Sequence, residues 1–428
     1  MQKIFLSVLT FVFVFSSKAQ QIDKTIDSME VRRIEKTLSS DDMQGRKTFS
    51  PGIEKAADFI AAEFKKAGLQ TVDPSGTFFQ EFTMVKPKLL SAKAAFDGVE
   101  MDAAKIIAFS SQEDITVTEK SGYETVKISA GDTLVRKAFR LISANRNYLV
   151  LVDTSQVTNF SRLSRFKGPS FRSDKSVIFV LTDKSPASYS IELRQEITEQ
   201  HLRNVVGILP GKSRKDEYVI FSGHYDHLGI GRANENQDSI FNGANDDAAG
   251  TTAVIMLAKY FSALHNNERT IVFAAFTAEE IGGYGSGYFS RQFDPSKVMA
   301  MFNIEMIGTE SKWGVNSAYL TGYEKSDMGR ILEKNLEGSQ FRFYPDPYTE
   351  QQLFYRSDNA TLARLGVPAH TISTSKMDSE KYYHTQEDEF ETLDIKNMTE
   401  IIKAIAISSR TIVAGKDTPS RVDTTQLR

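Results

Sequence analysis

Apolar, strand-like segments alternate with helical patterns from Asn204 onward, and this alternation constrains the fold more than any other feature of the chain. The segments YVIFSG, TIVFAAF, AMFNI and VPAHTIS have the character of buried strands, and GTTAVIMLAKYFSAL has the spacing of a helix. Strands that alternate with helices predict an α/β fold with a mixed, mainly parallel central sheet covered by helices on both faces. In such sheets, ligands bind beyond the carboxyl ends of the strands.

The loops after these strands carry imidazole and carboxylate groups at five places. The residues are His224, Asp226 and His227 after YVIFSG, Asp246 and Asp247 in the next loop, Glu279 and Glu280 after TIVFAAF, Glu305 after AMFNI, and His384 beside Tyr383 after VPAHTIS. The chain has only 6 histidines, so their arrival at this edge is hard to attribute to solvated loops. Carboxylates packed together without a cation would repel one another, and a divalent metal ion resolves that conflict.

The types of ligand predict which metal is bound and how many ions there are. Imidazole and carboxylate ligands without thiolate suit zinc, and manganese or cobalt could occupy the same set. The ligands are too many for one tetrahedral ion and about enough for two, which a carboxylate can bridge at a separation of ~3.5–4 Å. One of the adjacent glutamates can then bind metal while the other takes a proton from the attacking water. Thr277 and Glu280 also have the spacing of a helix capping box, which stays open as a further role of Glu280.

The chain divides into several predicted segments. Residues 20–87 and 201–415 are expected to form the α/β domain, with an amphipathic helix in SPGIEKAADFIAAEFKKAGL. Residues 88–200, which lack long helical periodicity, are expected to form a β-rich inserted subdomain. Residues 416–428 form a polar tail that we expect to fray. Residues 1–19 combine a charged start, an apolar run and a small-residue cleavage site, which predicts a signal peptide and export to the periplasm or the extracellular space.

The composition excludes several classes of function. A net charge of -3 over 428 residues argues against nucleic acid as a partner, because phosphate binding needs a concentrated basic surface. No segment after the signal peptide is long and apolar enough to span a membrane. The chain has no cysteine, so its stability depends on its core and on bound metal rather than on disulfides. The sequence specifies no oligomeric state.

Taken in order, the site motifs resemble a known family. The succession SGHYDHLG, NGANDDAAG, FTAEEIGGYGS, FNIEMIG, RSDN and YYHTQED resembles the co-catalytic zinc aminopeptidases, which include aminopeptidase Y and the bacterial leucyl aminopeptidases. Glutamate carboxypeptidase II and glutaminyl cyclase are relatives of that family. The resemblance covers residues 38–69 and 204–393. It implies an exported aminopeptidase that hydrolyses the N-terminal residues of peptides, with a hydroxide bridged between two zinc ions.

The resemblance also implies a role for each site residue. The metal ligands it implies are His224 and Glu305 on the first ion, Asp246 bridging both ions through a loop with a cis peptide bond to Asp247, and Glu280 and His384 on the second ion. Glu279 would be the general base, Asp226 would position His224, Tyr383 would stabilise the tetrahedral intermediate, and Arg356 would lie near the substrate. Glu305 departs from the family, which has aspartate at this position, and its extra methylene changes how the carboxylate reaches the metal.

Two other functions stay open from the sequence. One is a related carboxypeptidase or glutaminyl cyclase on the same scaffold, and the other is a non-catalytic binding module whose metal site has decayed. The complete set of ligands together with Glu279 favours the peptidase. The insertion occupies the place of the protease-associated domain of many relatives. We expect His227 to be a structural neighbour of the metal ligands and His370, in an apolar strand, to be a core residue.

Overall fold

The computed structural model describes residues 22–72 and 75–428, so the predicted signal peptide lies outside the described residues. The chain divides into two compact units, one formed by residues up to 81 together with 202–428, the other by residues 82–201. The second unit occupies the region where the sequence predicted an insertion at 88–200. Among the described residues, no helix is long and apolar enough to cross a membrane.

The secondary structure has the following bounds. The strands are β1 (Gln70–Thr71), β2 (Phe79–Phe96), β3 (Val99–Met101), β4 (Ile106–Phe109), β5 (Asp114–Thr118), β6 (Glu124–Ile128), β7 (Tyr148–Val152), β8 (Val177–Leu181), β9 (Tyr189–Leu209), β10 (Arg214–His224), β11 (Gly229–Ile230), β12 (Ile240–Phe241), β13 (Arg269–Phe276), β14 (Val298–Ile304), β15 (Ser317–Leu320), β16 (Arg342–Pro345) and β17 (Ala369–Ser373). The α-helices from Ser28 onward are α1 (Ser28–Leu38), α2 (Pro51–Lys66), α3 (Leu134–Ser143), α4 (Val157–Leu163), α5 (Ala249–Leu264), α6 (Tyr284–Ser290), α7 (Met328–Leu336), α8 (Asn359–Ala363), α9 (Ile395–Ser408) and α10 (Arg410–Val413).

Parallel pairing forms the centre of the sheet in the first unit. The strand order is β16-β15-β17-β14-β10-β13-β9. β13 and β14 lie on either side of β10 and parallel to it, and β17 is parallel to β14. The end of β9 pairs antiparallel with β13, and β15 pairs antiparallel with β17. The prediction of a mixed, mainly parallel sheet is confirmed.

Both faces of this sheet are buried, because neighbouring residues along each strand point to opposite sides. Phe221 stacks at 5.4 Å on Phe261 of α5 and at 4.9 Å on Phe302 of β14, measured between ring centroids, in a core that α1, α2, α7 and α9 also cover. The preceding residue, Ile220, lies in a second core with Phe289 of α6 and Leu362 of α8. Burial on both faces explains why these strands are continuous apolar runs.

The predicted amphipathic helix is α2, and its ends have the expected signals. Proline occupies the first turn, where its missing N–H costs nothing. Gly68, just beyond the helix, has a φ of 78°, which glycine adopts without strain. The predicted apolar face, which includes Ile53, Ile60 and Phe64, is buried.

The second unit contains two helices that the sequence analysis did not predict. It has a four-stranded sheet in the order β4-β8-β7-β6, with β5 paired to β9. α3 and α4, of 10 and 7 residues, lie within this unit, where the sequence has no long helical periodicity. Helix α3 buries only Leu134 and Ala138, so its sequence has too short an apolar pattern to predict a helix.

The C-terminal tail is held in place, and the expectation that it frays is wrong. Arg269 of β13 is fully buried and donates hydrogen bonds to the carbonyl oxygens of Ile412 and Asp417 at 2.8 and 2.7 Å. Further along, Arg421 donates to the carbonyl oxygen of Val298 at 2.7 Å. The polar composition of the tail suggested that it frays. The residues that hold it are distant in sequence, so the local pattern does not reveal them.

We predict that His370 makes folding stability pH-dependent. As expected, it is a core residue: it is buried in β17, donates from Nδ1 to the carbonyl oxygen of Thr321 (2.8 Å) and accepts from the Ser326 hydroxyl (2.7 Å). Burial lowers its pKa to about 4 from its ordinary 6.5. Between these pH values the unfolded chain binds a proton that the folded chain does not. The free energy of unfolding should therefore fall by up to about 3 kcal/mol as the pH drops from 6.5 to 4.

The check is urea unfolding of the wild type and of His370→Gln in the same buffers over this pH range. The variant cannot take up the proton, so its stability curve should lack this component. Parallel curves for the two proteins would show that His370 does not contribute to the pH dependence.

Candidate metal centre

The carboxyl ends of four strands bring the predicted ligands together. His224 is the last residue of β10, and Glu305 follows β14 directly. Glu280 lies in the turn after β13, and His384 in the loop after β17. Asp246 lies in a short π-helical turn before α5, and its peptide bond to Asp247 is cis, as the resemblance implied. The edge that the sequence singled out is therefore where these side chains meet.

Two groups of side chains could each hold an ion, and they share Asp246. In the first group, ligand atoms of His224, Asp246 and Glu305 all lie within 4.8 Å of one another, and His224 Nε2 is 3.3 Å from Asp246 Oδ1. In the second, His384 Nε2 lies 3.2 Å from both Asp246 Oδ2 and Glu280 Oε2. The two oxygens of Asp246 thus face different groups.

His227 lies closer to the second group than the sequence indicated. Its Nδ1 is 2.7 Å from Glu280 Oε1 and 3.8 Å from Asp246 Oδ2, and its ring is buried. Ligand atoms of His227, Asp246 and Glu280 also lie within 4.8 Å of one another. Its role as a neighbour rather than a ligand stays a prediction, and its contact with Glu280 is what the sequence analysis missed.

The donor set fits a cation at the first group. His224 Nδ1 faces the carbonyl oxygen of Asp226 at 3.1 Å, so in a neutral ring Nδ1 carries the proton and Nε2 has the lone pair. That lone pair points at Asp246 Oδ1, and Nε2 is buried without a hydrogen-bond partner. Two acceptors facing each other at this distance repel unless a proton or a metal ion lies between them. Imidazole and carboxylate ligands suit zinc.

The pKa values of the side chains in this cluster also favour a bound cation. Burial and then neighbouring carboxylates raise the pKa of Glu305 to about 7, with His224 opposing the rise. Burial also raises the pKa of Glu279 well above its usual range, and Glu305 adds to the effect. Hydrogen bonds to Asp246 and Glu280 raise the pKa of His384 to about 10. Burial and neighbouring carboxylates thus both disfavour the charged forms of Glu305 and Glu279, and a divalent cation would stabilise those charges.

Asp226 holds the two adjacent glutamates by their backbone. Its Oδ1 accepts the N–H of Glu279 at 3.0 Å and its Oδ2 the N–H of Glu280 at 3.2 Å. The Thr48 hydroxyl donates to the same Oδ2 at 3.1 Å. Asp226 is fully buried, so this carboxylate sets where both glutamate side chains begin.

These contacts show that the capping-box interpretation is wrong. A capping box would need the N–H of Glu280 to bond Thr277 and the N–H of Thr277 to bond Glu280. Instead, the N–H of Thr277 donates to Asn204 Oδ1 at 3.2 Å, and α6 begins only at Tyr284. The Glu280 side chain faces His227 and His384.

The remaining predicted residues lie around the two groups. The Glu279 carboxylate has no hydrogen-bond or ion-pair partner among the described residues, although the negative charges of Glu305 and Asp226 act on it. Tyr383 stacks on His384 with 3.9 Å between ring centroids. Burial and the charges of Asp246 and Glu305 raise its pKa, so the hydroxyl stays protonated. Arg356 lines a pocket together with Glu305 and Tyr383.

Two residues that the sequence analysis did not single out fix the loops of the site. Asp388 accepts the N–H groups of Asn245 and Asp246 at 2.8 and 3.0 Å. Arg46, fully buried, donates to the carbonyl oxygens of Leu38, Tyr225, Asn242 and Gly243 at 2.6–2.9 Å. Asp388 lies within the quoted YYHTQED motif, which was the available signal. For Arg46, the only available sequence signal was its position in the QGRKT segment.

Comparison with known proteins confirms the predicted resemblance for the second half of the chain. Residues 204–408 match the sequence profile of Peptidase family M28. The chain is 35% identical over 112 residues to a probable zinc metalloprotease of Pyricularia oryzae, over 26% of this chain and 22% of that protein. It is 24% identical over 202 residues to aminopeptidase YwaD of Bacillus subtilis, over 40% of this chain and 41% of that protein. The chain therefore spans less than half the length of these relatives.

Solved structures share the fold over most of their length. An aminopeptidase from Aneurinibacillus sp. strain AM-1 matches with a TM-score of 0.54 and 18% identity, covering 95% of this chain and 98% of that one. BSAP, a zinc aminopeptidase from Bacillus subtilis, matches with a TM-score of 0.54 and 15% identity, covering 93% of this chain and 98% of that one. At these identities the likeness shows the fold.

We predict that Asp226→Asn weakens zinc binding about 10–100-fold. Asparagine has one carbonyl oxygen, so at least one of the two glutamate N–H groups would face an NH2 group. Competition with a chromophoric chelator measures the affinity, and circular dichroism checks the fold. Asp216→Asn is the matched control, because Asp216 is exposed on β10, the strand that precedes Asp226. Equal zinc affinity in the wild type and Asp226→Asn would contradict the role of this carboxylate.

Proposed function

We propose that this chain is an exported zinc aminopeptidase that binds two metal ions and uses Glu279 as its general base. The observation that carries the proposal is Asp246, whose two oxygens lie 3.3 Å and 3.2 Å from ligand nitrogens of separate groups. His224 and Glu305 would complete the first site, and Glu280 and His384 the second. The match of residues 204–408 to Peptidase family M28 supports a peptidase. The leader-like residues 1–19 support export to the periplasm or the extracellular space.

Zinc, when bound, would polarise the substrate carbonyl and the attacking water. The side chains then have to move a proton. Glu279 is suited to this task because its carboxylate has no hydrogen-bond partner among the described residues and is largely buried. It would take the proton of the water and return it to the amine that leaves when the peptide bond breaks. Asp226 fixes the backbone from which the Glu279 side chain extends, through the N–H of Glu279.

Tyr383 would stabilise the oxyanion that forms on the substrate carbonyl. Its raised pKa keeps the hydroxyl protonated, and stacking on His384 fixes the ring. Hydrogen-bond donors placed in advance at the developing charge are the strongest contributors to such reactions. The positive α-amino group of a substrate would lie near the carboxylates of the second group, which favours cleavage from the N-terminus.

The central test is Glu279→Gln. The substitution keeps the size of the side chain and removes the base, so hydrolysis of aminoacyl-nitroanilides should fall by about 10²–10⁴. Zinc content should stay at the wild-type value because Glu279 belongs to neither ligand group. Glu235→Gln, at an exposed position in the loop after His227, is the matched control and should retain activity. Retained activity in Glu279→Gln would mean that the site works without this base.

A second prediction concerns the number of metal ions. The wild type should bind about two zinc ions per chain. Glu305→Gln and Glu280→Gln should each lose one ion, because they alter different groups, whereas Asp246→Asn should weaken both sites. Metal analysis after dialysis measures the stoichiometry, and chelation should abolish hydrolysis. One ion in the wild type would contradict the two-metal site and favour a cyclase-type relative.

A further inference from the structure

A pocket beside the first group has walls of two kinds. It is partly open to solvent, and it borders Glu305 and Tyr383. Met306, Leu353 and Met377 supply apolar wall, while Arg356 and Thr321 supply polar groups. Since the pocket adjoins the residues that would act on the peptide bond, its lining would select the substrate.

Arg356 is the cationic residue of this lining, and its guanidinium has no acidic partner among the described residues. Other arginines of the same unit do have such partners: Arg203 pairs with Glu54 at 2.7 Å, and Arg269 with Glu217 at 2.6 Å. The backbone at Arg356 is held at its own N–H, which donates to the carbonyl oxygen of Leu353 at 3.0 Å. Arg356 is exposed, so its guanidinium is hydrated rather than held by an acidic side chain, and it is free to bind an anion in the pocket.

Thr321 adds a second donor to the same pocket. It is 1% exposed, and its hydroxyl oxygen accepts the N–H of Thr371 at 3.2 Å. Its own O–H donates to no acceptor among the described residues. Glu305 is the acidic residue of the lining, and it already belongs to the first metal group. The pocket therefore offers a guanidinium and a hydroxyl donor, and the one carboxylate among its lining residues belongs to the first metal group.

We propose that this pocket binds a carboxylate of the substrate. The inference rests on the proposed aminopeptidase function and names the substrates it would prefer. The carboxylate could be the side chain of an N-terminal glutamate or aspartate, whose methylene groups would lie against Met306, Leu353 and Met377. It could also be the α-carboxylate of a dipeptide. In both cases the charge of Arg356 selects an anion over a neutral group of the same shape.

The experiment compares substrates that differ only in this charge. Glutamyl- and glutaminyl-nitroanilide separate the side-chain carboxylate from its neutral isostere, and leucylglycine and leucylglycinamide do the same for the α-carboxylate. We expect kcat/KM to favour the charged member of one pair by about ten-fold or more, since a hydrogen bond to a charged group is worth that much. Equal rates within both pairs would overturn the proposal.

Variants of Arg356 test whether this residue carries the preference. Arg356→Gln should reduce the charged-to-neutral ratio to near one, and Arg356→Glu should turn the preference towards lysyl-nitroanilide. Arg364→Gln, an exposed arginine outside the pocket, is the matched control and should keep the wild-type ratio. A ratio that survives in Arg356→Gln would place the selecting group elsewhere and contradict the proposal.

A binding measurement separates this inference from the proposed function. If the pocket binds the side-chain carboxylate, L-glutamate should raise the Tm of the zinc-loaded wild type more than L-glutamine does; if it binds the α-carboxylate, glycine should raise it more than glycinamide does; either difference should vanish in Arg356→Gln. If no nitroanilide or dipeptide is hydrolysed but one of these differences appears, the aminopeptidase function fails and the carboxylate pocket stands. Hydrolysis without any preference for the charged substrate, and without either difference in Tm, would reject the pocket alone.

Discussion

Buried carboxylates that accept backbone N–H groups are the interaction on which the rest of the site depends. Asp226 accepts two such groups, from Glu279 and Glu280, and Asp247 accepts three, from His224, Gly250 and Met306. Loops at the ends of parallel strands have N–H groups that no neighbouring strand satisfies, and burying them unpaired is costly. A carboxylate satisfies several at once with charge-assisted bonds. The ligand loops therefore take their shape from side chains that need not touch the metal.

The close packing around Asp247 explains two glycines of the motifs. A Cβ at Gly250 would lie 2.4 Å from Asp247 Oδ2 and 2.1 Å from the carbonyl oxygen of Ile304, far inside van der Waals contact. A Cβ at Gly223 would lie 2.9 Å from the carbonyl carbon of Gly250. Without side chains at these two positions, β10, β14 and the start of α5 approach closely enough for one carboxylate to bond all three. The strand ends are then fixed relative to one another before any ligand binds.

The sequence predicted the features that follow from local pattern. Apolar runs located β10, β13, β14 and β17, and the rule that ligands bind at strand ends placed His224, Glu280 and Glu305 on one edge. What it missed depends on contacts between distant residues. Arg46 bonds a carbonyl 197 residues away, and His227 contacts a glutamate 53 residues away. The contacts of the C-terminal tail were not predicted for the same reason. Helix α3 was not predicted because it buries only two residues, which is too short an apolar pattern to recognise.

The distribution of charge gives the proposed reaction a direction. In the proposed reaction, the carboxylates of Asp246 and Glu280 would attract a substrate's ammonium group, while Arg356, which lines the same pocket as Glu305, would attract a carboxylate. A peptide that presents both charges close together would be held in one orientation, with its first peptide bond between them and within reach of Glu279. A peptide bond in the middle of a chain has neither terminal charge nearby, so neither the two carboxylates nor Arg356 would strengthen its binding. Opposite charges on the two sides of one site would thus favour short or acidic N-terminal substrates over internal cleavage.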